Sequence, residues 1–198
     1  MKINYANEAS KLLSTLSRVD IPVEIYELAK KCNIHVLIRA QESDSNDSSG
    51  GDASNTKTMF LSEKLIHQLW QSTNPKELFP WEKSEYYLLI NSDNSLERRL
   101  LTAYHIAEKH LAEKEGKRID GDIISQSIPT NTIVYNLALY ILVPEDNISN
   151  FLREFELTTS EALSSNIAIE KLTQFFLVSK IDIVNRLKLS EGANYGCE

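Results

Sequence analysis

The sequence predicts an α+β protein, a small β-sheet packed against a larger set of helices. Three observations carry that reading. Apolar residues recur at helical spacing over much of the chain, beginning with Ala9, Leu12, Leu13 and Leu16. Two short runs, Ile34-His35-Val36-Leu37-Ile38 and Tyr86-Tyr87-Leu88-Leu89-Ile90-Asn91, have the β-branched and aromatic content of strands. The 198 residues are 42% hydrophobic and 25% charged, enough apolar material for a core and too much for wholesale disorder.

In chain order, Asn7 to Leu16 reads as a first helix, interrupted at Val19-Asp20-Ile21-Pro22 because Pro22 suits a loop or a first helical turn. Val23 to Lys31 is a second short helix, followed by the Ile34–Ile38 strand. Gln41 to Thr56 is Ser, Asp, Asn and Gly, a polar loop with little apolar surface to order it. Lys57 to Leu61 is a second strand and Ser62 to Gln71 a short helix. The Tyr86–Asn91 strand runs into Ser92-Asp93-Asn94-Ser95, a set of cap residues opening a long helix from Leu96 to about Lys114, closed by Gly116. Thr132 to Val143 is an apolar helix stopped by Pro144. Leu152, Phe155 and Leu157 mark another short segment, and Ser165–Leu177 and Lys180–Lys188 are two final helices. No composition break forces a boundary, so the chain reads as one domain over 1–198, a sheet-containing part over 1–145 and a helical part over 146–198.

The charge of −7 argues against a mainly electrostatic grip on nucleic acid or anionic membrane. Lys171, Lys180, Arg186 and Lys188 alternate with Glu170, Asp182 and Glu191, leaving no basic stripe for DNA. No apolar run reaches the roughly 20 residues of a membrane span. The amino terminus turns acidic at Glu8 with no apolar signal region. Cys32 and Cys197 supply neither a disulfide framework nor a four-cysteine zinc site. The expectation is a cytoplasmic protein.

Two of the four histidines lie on the long helix, in His105-Ile106-Ala107-Glu108-Lys109-His110. A zinc peptidase of the H-E-x-x-H kind needs its histidines four apart, one turn, with a Glu after the first to activate water. Here the spacing is five, which rotates the second ring by roughly 140°. Ile106 stands at the base position and Lys109 at the four-apart position. The inverted H-x-x-E-H signature also fails, because Lys109 separates Glu108 from His110. Read from the residues alone, His105 is a semi-buried helix histidine and Glu108, Lys109 and His110 a solvated face. Asp120-Gly121-Asp122 lacks the spaced ligands of an EF-hand. Trp70, Trp81, Tyr86 and Tyr87 read as core aromatics near a strand, and Cys32 as a small buried apolar residue.

In their order, five segments resemble the ImmA/IrrE family of zinc metallopeptidases, which inactivate helix-turn-helix repressors of phages, mobile elements and stress regulons. They are the Ile21-Pro22-Val23 start with its Ala29-Lys30-Lys31 helix; Leu88 to Arg99, similar to the strand, Asn-led turn and Glu-Arg opening of the active-site helix; Thr102-Ala103-Tyr104-His105; Leu137 to Pro144; and Phe176 to Leu187. The resemblance spans Ile21 to about Gly192 and implies a zincin-like core. In its register His105 matches the first zinc ligand, while the base position is Ile106, the second ligand Lys109 and the third Ile133. The implied protein is a pseudopeptidase without a metal.

Lys109 then either places its ammonium in the old site, where it needs a carboxylate, or snorkels to water, the cheaper expectation. His105, Glu108, Lys109, Tyr86 and Tyr140 are the candidates for a ligand or partner cleft. The expected function is a non-catalytic regulator that binds a helix-turn-helix repressor as an antirepressor. The alternatives are a metal-dependent endopeptidase using His105, Glu108, His110 and Asp120 or Asp122, with zinc, through a local π-bulge, and a ligand sensor using the cleft between the long helix and the Tyr86–Ile90 strand.

Overall fold

The computed structural model describes residues 3–39, 58–74, 78–117, 123–125 and 131–194. It shows an α+β architecture. The order is α1 (Tyr5–Leu13), α2 (Ile25–Lys31), β1 (Ile34–Arg39), β2 (Thr58–Ser62), α3 (Glu63–Thr73), β3 (Tyr86–Asn91), α4 (Ser95–Lys114), β4 (Ile123–Ser125), α5 (Thr132–Leu142), α6 (Glu145–Glu154), α7 (Thr159–Ser164), α8 (Asn166–Phe176) and α9 (Lys180–Asn194).

The strands lie in the order β1-β3-β2-β4. β1 pairs parallel to β3 with Ile34 opposite Tyr86, and β2 runs antiparallel to both β3 and β4. Alternation along each strand sends successive side chains to opposite faces. Ile34, Phe60, Tyr86, Leu88 and Ile90 enter the main core with α1, α2, α4 and α5. Leu61 and Tyr87 turn to the other face, where Ile66 of α3, Phe79 and Trp81 cover them. Trp70 and Trp81 meet edge to face beside that patch.

Local chemistry sets the helix ends. Asn94 caps α4 by accepting from the Leu96 and Glu97 amides, and Asn131 does the same for α5 with Ile133 and Val134. Gly116, at φ 68°, follows α4 in the left-handed conformation that glycine adopts without a Cβ penalty. Thr158 and Glu161 form a reciprocal capping box on α7. The middle of α5 is apolar on nearly every side because it is enclosed: Leu137, Ala138, Leu139, Ile141 and Leu142 have no exposed surface. Each of its buried leucines and isoleucines contributes on the order of 1.5–3 kcal/mol of transfer free energy.

The carboxy-terminal helices share the core with the sheet-containing part, since one apolar cluster contains Ala9, Phe60, Leu137, Phe176 and Leu187. Arg186, without exposed surface, fixes α9 to the α5–α6 junction. Its Nε donates to Val143 O (3.0 Å), one amino group to Glu145 Oε2 (2.5 Å), and the guanidinium lies 3.5 Å from the Tyr140 ring centre. Arg99 of α4 donates to Val23 O and Leu177 O, tying three distant segments together.

Some boundaries differ from expectation. α1 starts at Tyr5 because Asn4 caps it, and it ends at Leu13 rather than Leu16. α9 continues past Lys188 to Asn194. β4 and α7 were not anticipated, the first too short to carry a pattern. The loop Gln41–Thr56 and Asp120-Gly121-Asp122 lie outside the described residues. No helix among the described residues is long and apolar enough to cross a membrane.

Candidate functional site

α4 is an uninterrupted α-helix, so residues three and four apart share a face and residues five apart do not. His105, Glu108 and Lys109 point toward the sheet side, while His110 turns to α1. The π-bulge that the metal-site alternative required is absent from this helix.

His105 is 1% exposed. Its Nδ1 lies 2.9 Å from Glu108 Oε2 and its Nε2 lies 3.4 Å from Thr58 Oγ1 of β2. A carboxylate accepts only, so Nδ1 carries the hydrogen and donates; in the neutral ring Nε2 then accepts from the Thr58 hydroxyl. The imidazole stacks on Phe60 with the ring planes nearly parallel and the centroids 5.1 Å apart, and Phe60 stacks in turn on Tyr86 at 5.0 Å. The Thr58–His105–Glu108 order is that of a hydroxyl, a base and an orienting carboxylate. Thr58 is only 2% exposed, however, so a substrate has no approach to its hydroxyl. The arrangement holds β2 against α4.

Lys109 corrects the expectation of a lysine extended into water: it is 6% exposed. Its ammonium pairs with Glu113 on the next turn, lies 3.4 Å from Glu85 Oε2 and sits 5.6 Å from the Tyr86 ring centre. Burial pulls its pKa down, but the two carboxylates outweigh that and hold it above the ordinary lysine value. The stretch 108–110 is therefore not a solvated face.

His110 donates to Glu8 Oε2 of α1 at 2.9 Å. Glu8 is 4% exposed and also accepts from Lys114 at 2.6 Å and Lys11 at 3.1 Å. Lys114 and His110 pull its pKa down to about 2 against the opposing effect of burial. Thus His105 and His110 serve opposite sides of α4 and cannot share one ion. Among the described residues, no group of three or more His, Cys, Asp and Glu side chains is arranged to hold a metal.

Of the remaining candidate positions, Ile106 has no exposed surface and packs in the core, while Ile133 opens α5 at 46% exposure. His105, Glu108, Lys109 and Tyr86 do come together, but through side chains that fill the space between α4 and β3. Tyr140 stands apart, sandwiched between Tyr5 and Arg186. A cavity of about 260 Å³ lies at the far end of α4, where Lys109, His110 and Glu113 face Cys32 and Asn33. Burial pushes the half-buried Cys32 thiol above its ordinary pKa, which disfavours the thiolate.

Sequence reasoning missed Glu8, Thr58, Glu85 and Glu113. Only Glu113 left a signal, as the i+4 partner of Lys109. The others are brought in by tertiary packing, Glu8 from 102 positions away. No protein-family model matches the chain, and no curated protein sequence matches it.

Proposed function

We propose that this protein is a non-catalytic regulator on an ImmA/IrrE-like, zincin-like scaffold, acting in the cytoplasm by binding a helix-turn-helix repressor and sequestering it. The observation that carries the reading is the state of the positions matching the family's site. His105 has both ring nitrogens engaged by Glu108 and Thr58, Ile106 is sealed in the core, and Lys109 is fixed in carboxylate pairs.

That chemistry favours structural use of the helix over catalysis. An isoleucine takes no proton from water, and a lysine held by two carboxylates offers no lone pair to a metal. The net charge of −7 suits a basic partner such as a DNA-binding repressor, since complementary charge speeds encounter. Masking of the partner's DNA-contacting surface follows as the mode of action.

The test is capture of partners from the native host, followed by a repressor–operator shift assay with the purified pair. Release of operator DNA at stoichiometric protein supports the reading. No repressor among the partners, and no effect on operator binding, overturns it.

A further inference from the structure

β1 is an edge strand, and the phase of its hydrogen bonds determines what that edge presents. The Tyr86 amide donates to Asn33 O at 3.2 Å, and Ile34 is in register with Tyr86. In a parallel ladder alternate residues bond to the same neighbour. Asn33, His35 and Leu37 therefore turn their backbone groups to β3, while the N–H and C=O of Ile34, Val36 and Ile38 point away from the sheet. No strand among the described residues pairs with β1 on that side.

A cavity of about 380 Å³ lies along this edge. Ile34, Val36 and Ile38 line it, with Tyr26 and Lys30 of α2 on one wall and residues 82–84 on the other. The strand has no proline and no lysine, its register with β3 is unbroken, and its charged residue, Arg39, stands at its last position. Ile38 is 45% exposed and Tyr26 39%. Lys30 and Glu82 pair across the cleft at 3.6 Å with both side chains largely in water, so the pair parts readily.

We propose that this cleft binds an extended peptide segment of another protein, added to the sheet as a strand beside β1. The donors and acceptors of Ile34, Val36 and Ile38 recognise the main chain of such a segment. Tyr26 and Ile38 select apolar side chains at alternate positions. Lys30 faces Glu82 at 3.6 Å and Lys83 faces Glu63 at 3.7 Å, so the rim is balanced in charge and the backbone groups and apolar side chains set the preference. The occupant proposed is a single extended segment of another protein, and pairing with a second copy of this chain is the outcome that the sedimentation measurement would reveal. This proposal is independent of the repressor reading and of α4.

The probe is a fluorescein-labelled, terminally blocked Glu-Thr-Val-Thr-Val-Thr-Glu peptide, with binding read by anisotropy on the full chain. Saturable binding is expected, weakened tenfold or more when alternate peptide amides are N-methylated. Val36→Pro deletes one outward N–H and leaves the β1–β3 ladder intact, so it is expected to lose tenfold or more in affinity with an unchanged circular dichroism spectrum. If that variant fails to fold, amide exchange on the wild type decides. The Ile34, Val36 and Ile38 amides exchange fast in the free protein and slow on adding the peptide, whereas His35 and Leu37 are slow throughout. Binding indifferent to N-methylation overturns the proposal. So does slow exchange of the three outward amides in the free protein, or protection that grows with protein concentration alongside dimerisation in sedimentation.

Discussion

Glu8→Gln removes the carboxylate on which Lys11, Lys114 and His110 converge and keeps nearly the same volume. Glu8 is 4% exposed and held at about 2, against an ordinary value of 4.5. That difference corresponds to about 3 kcal/mol of preferential stabilisation of the ionised form in the folded state. Lys11 and Lys114 keep 55% and 33% of their side-chain surface and regain water when the charge is lost. The cost at pH 7 is therefore about 2–3 kcal/mol, or a melting temperature lower by roughly 5–10 °C for a chain of this size. The sign with pH follows from the depressed value. The unfolded chain takes up the proton near 4.5 and the folded chain only near 2, so the contribution is complete above 4.5 and is lost as pH falls toward 2. Wild-type melting temperature should fall across that window more steeply than that of Glu8→Gln, measured by calorimetry in matched buffers. Equal melting temperatures at pH 7 and parallel acid limbs would show that the α1–α4 ion cluster contributes nothing.

Ile106→Glu puts a carboxylate where no surface is exposed. The cost of several kcal/mol should leave little soluble folded protein, and a variant melting within a few degrees of wild type refutes the packed-site reading. Arg186→Lys keeps the charge but cannot stack on Tyr140 while reaching Val143 O and Glu145, so urea denaturation should show a loss of about 3 kcal/mol. Burial, reinforced by the Asp182 carboxylate 2.6 Å from its hydroxyl, pushes Tyr135 up to about 12. Tyrosinate absorbance should show that group titrating last in wild type and earlier in Asp182→Asn. Its stabilising contribution, present below pH 10, should fade as pH rises toward 12.

The fold was legible where a pattern is local. Asn94 and Gly116 bracket α4, Tyr86–Asn91 carries its strand in six residues, and the apolar run of α5 stops at Pro144, all readable from neighbours in sequence. The Thr158-x-x-Glu161 box was equally readable and marks α7, the one avoidable omission. The site was legible as spacing but not as environment. A five-residue interval places His110 away from His105, but nothing local announces that Glu8 receives it. Lys109 shows the same limit. Helical spacing put it on the face of His105, yet whether a cation there reaches water depends on Glu85 and Tyr86, which arrive with β3. Arg186 lay in a stretch of alternating charge, and only packing of α9 on α5 takes its guanidinium out of water.

The claim that most of this account rests on is that His105 is a packed, hydrogen-bonded core residue. Zinc content of protein purified without an affinity tag, after dialysis against equimolar zinc, tests it directly in wild type and His105→Ala. The account predicts far less than one zinc per chain in both. One zinc per chain in wild type, lost in His105→Ala, would contradict it and support a metal site at His105 instead.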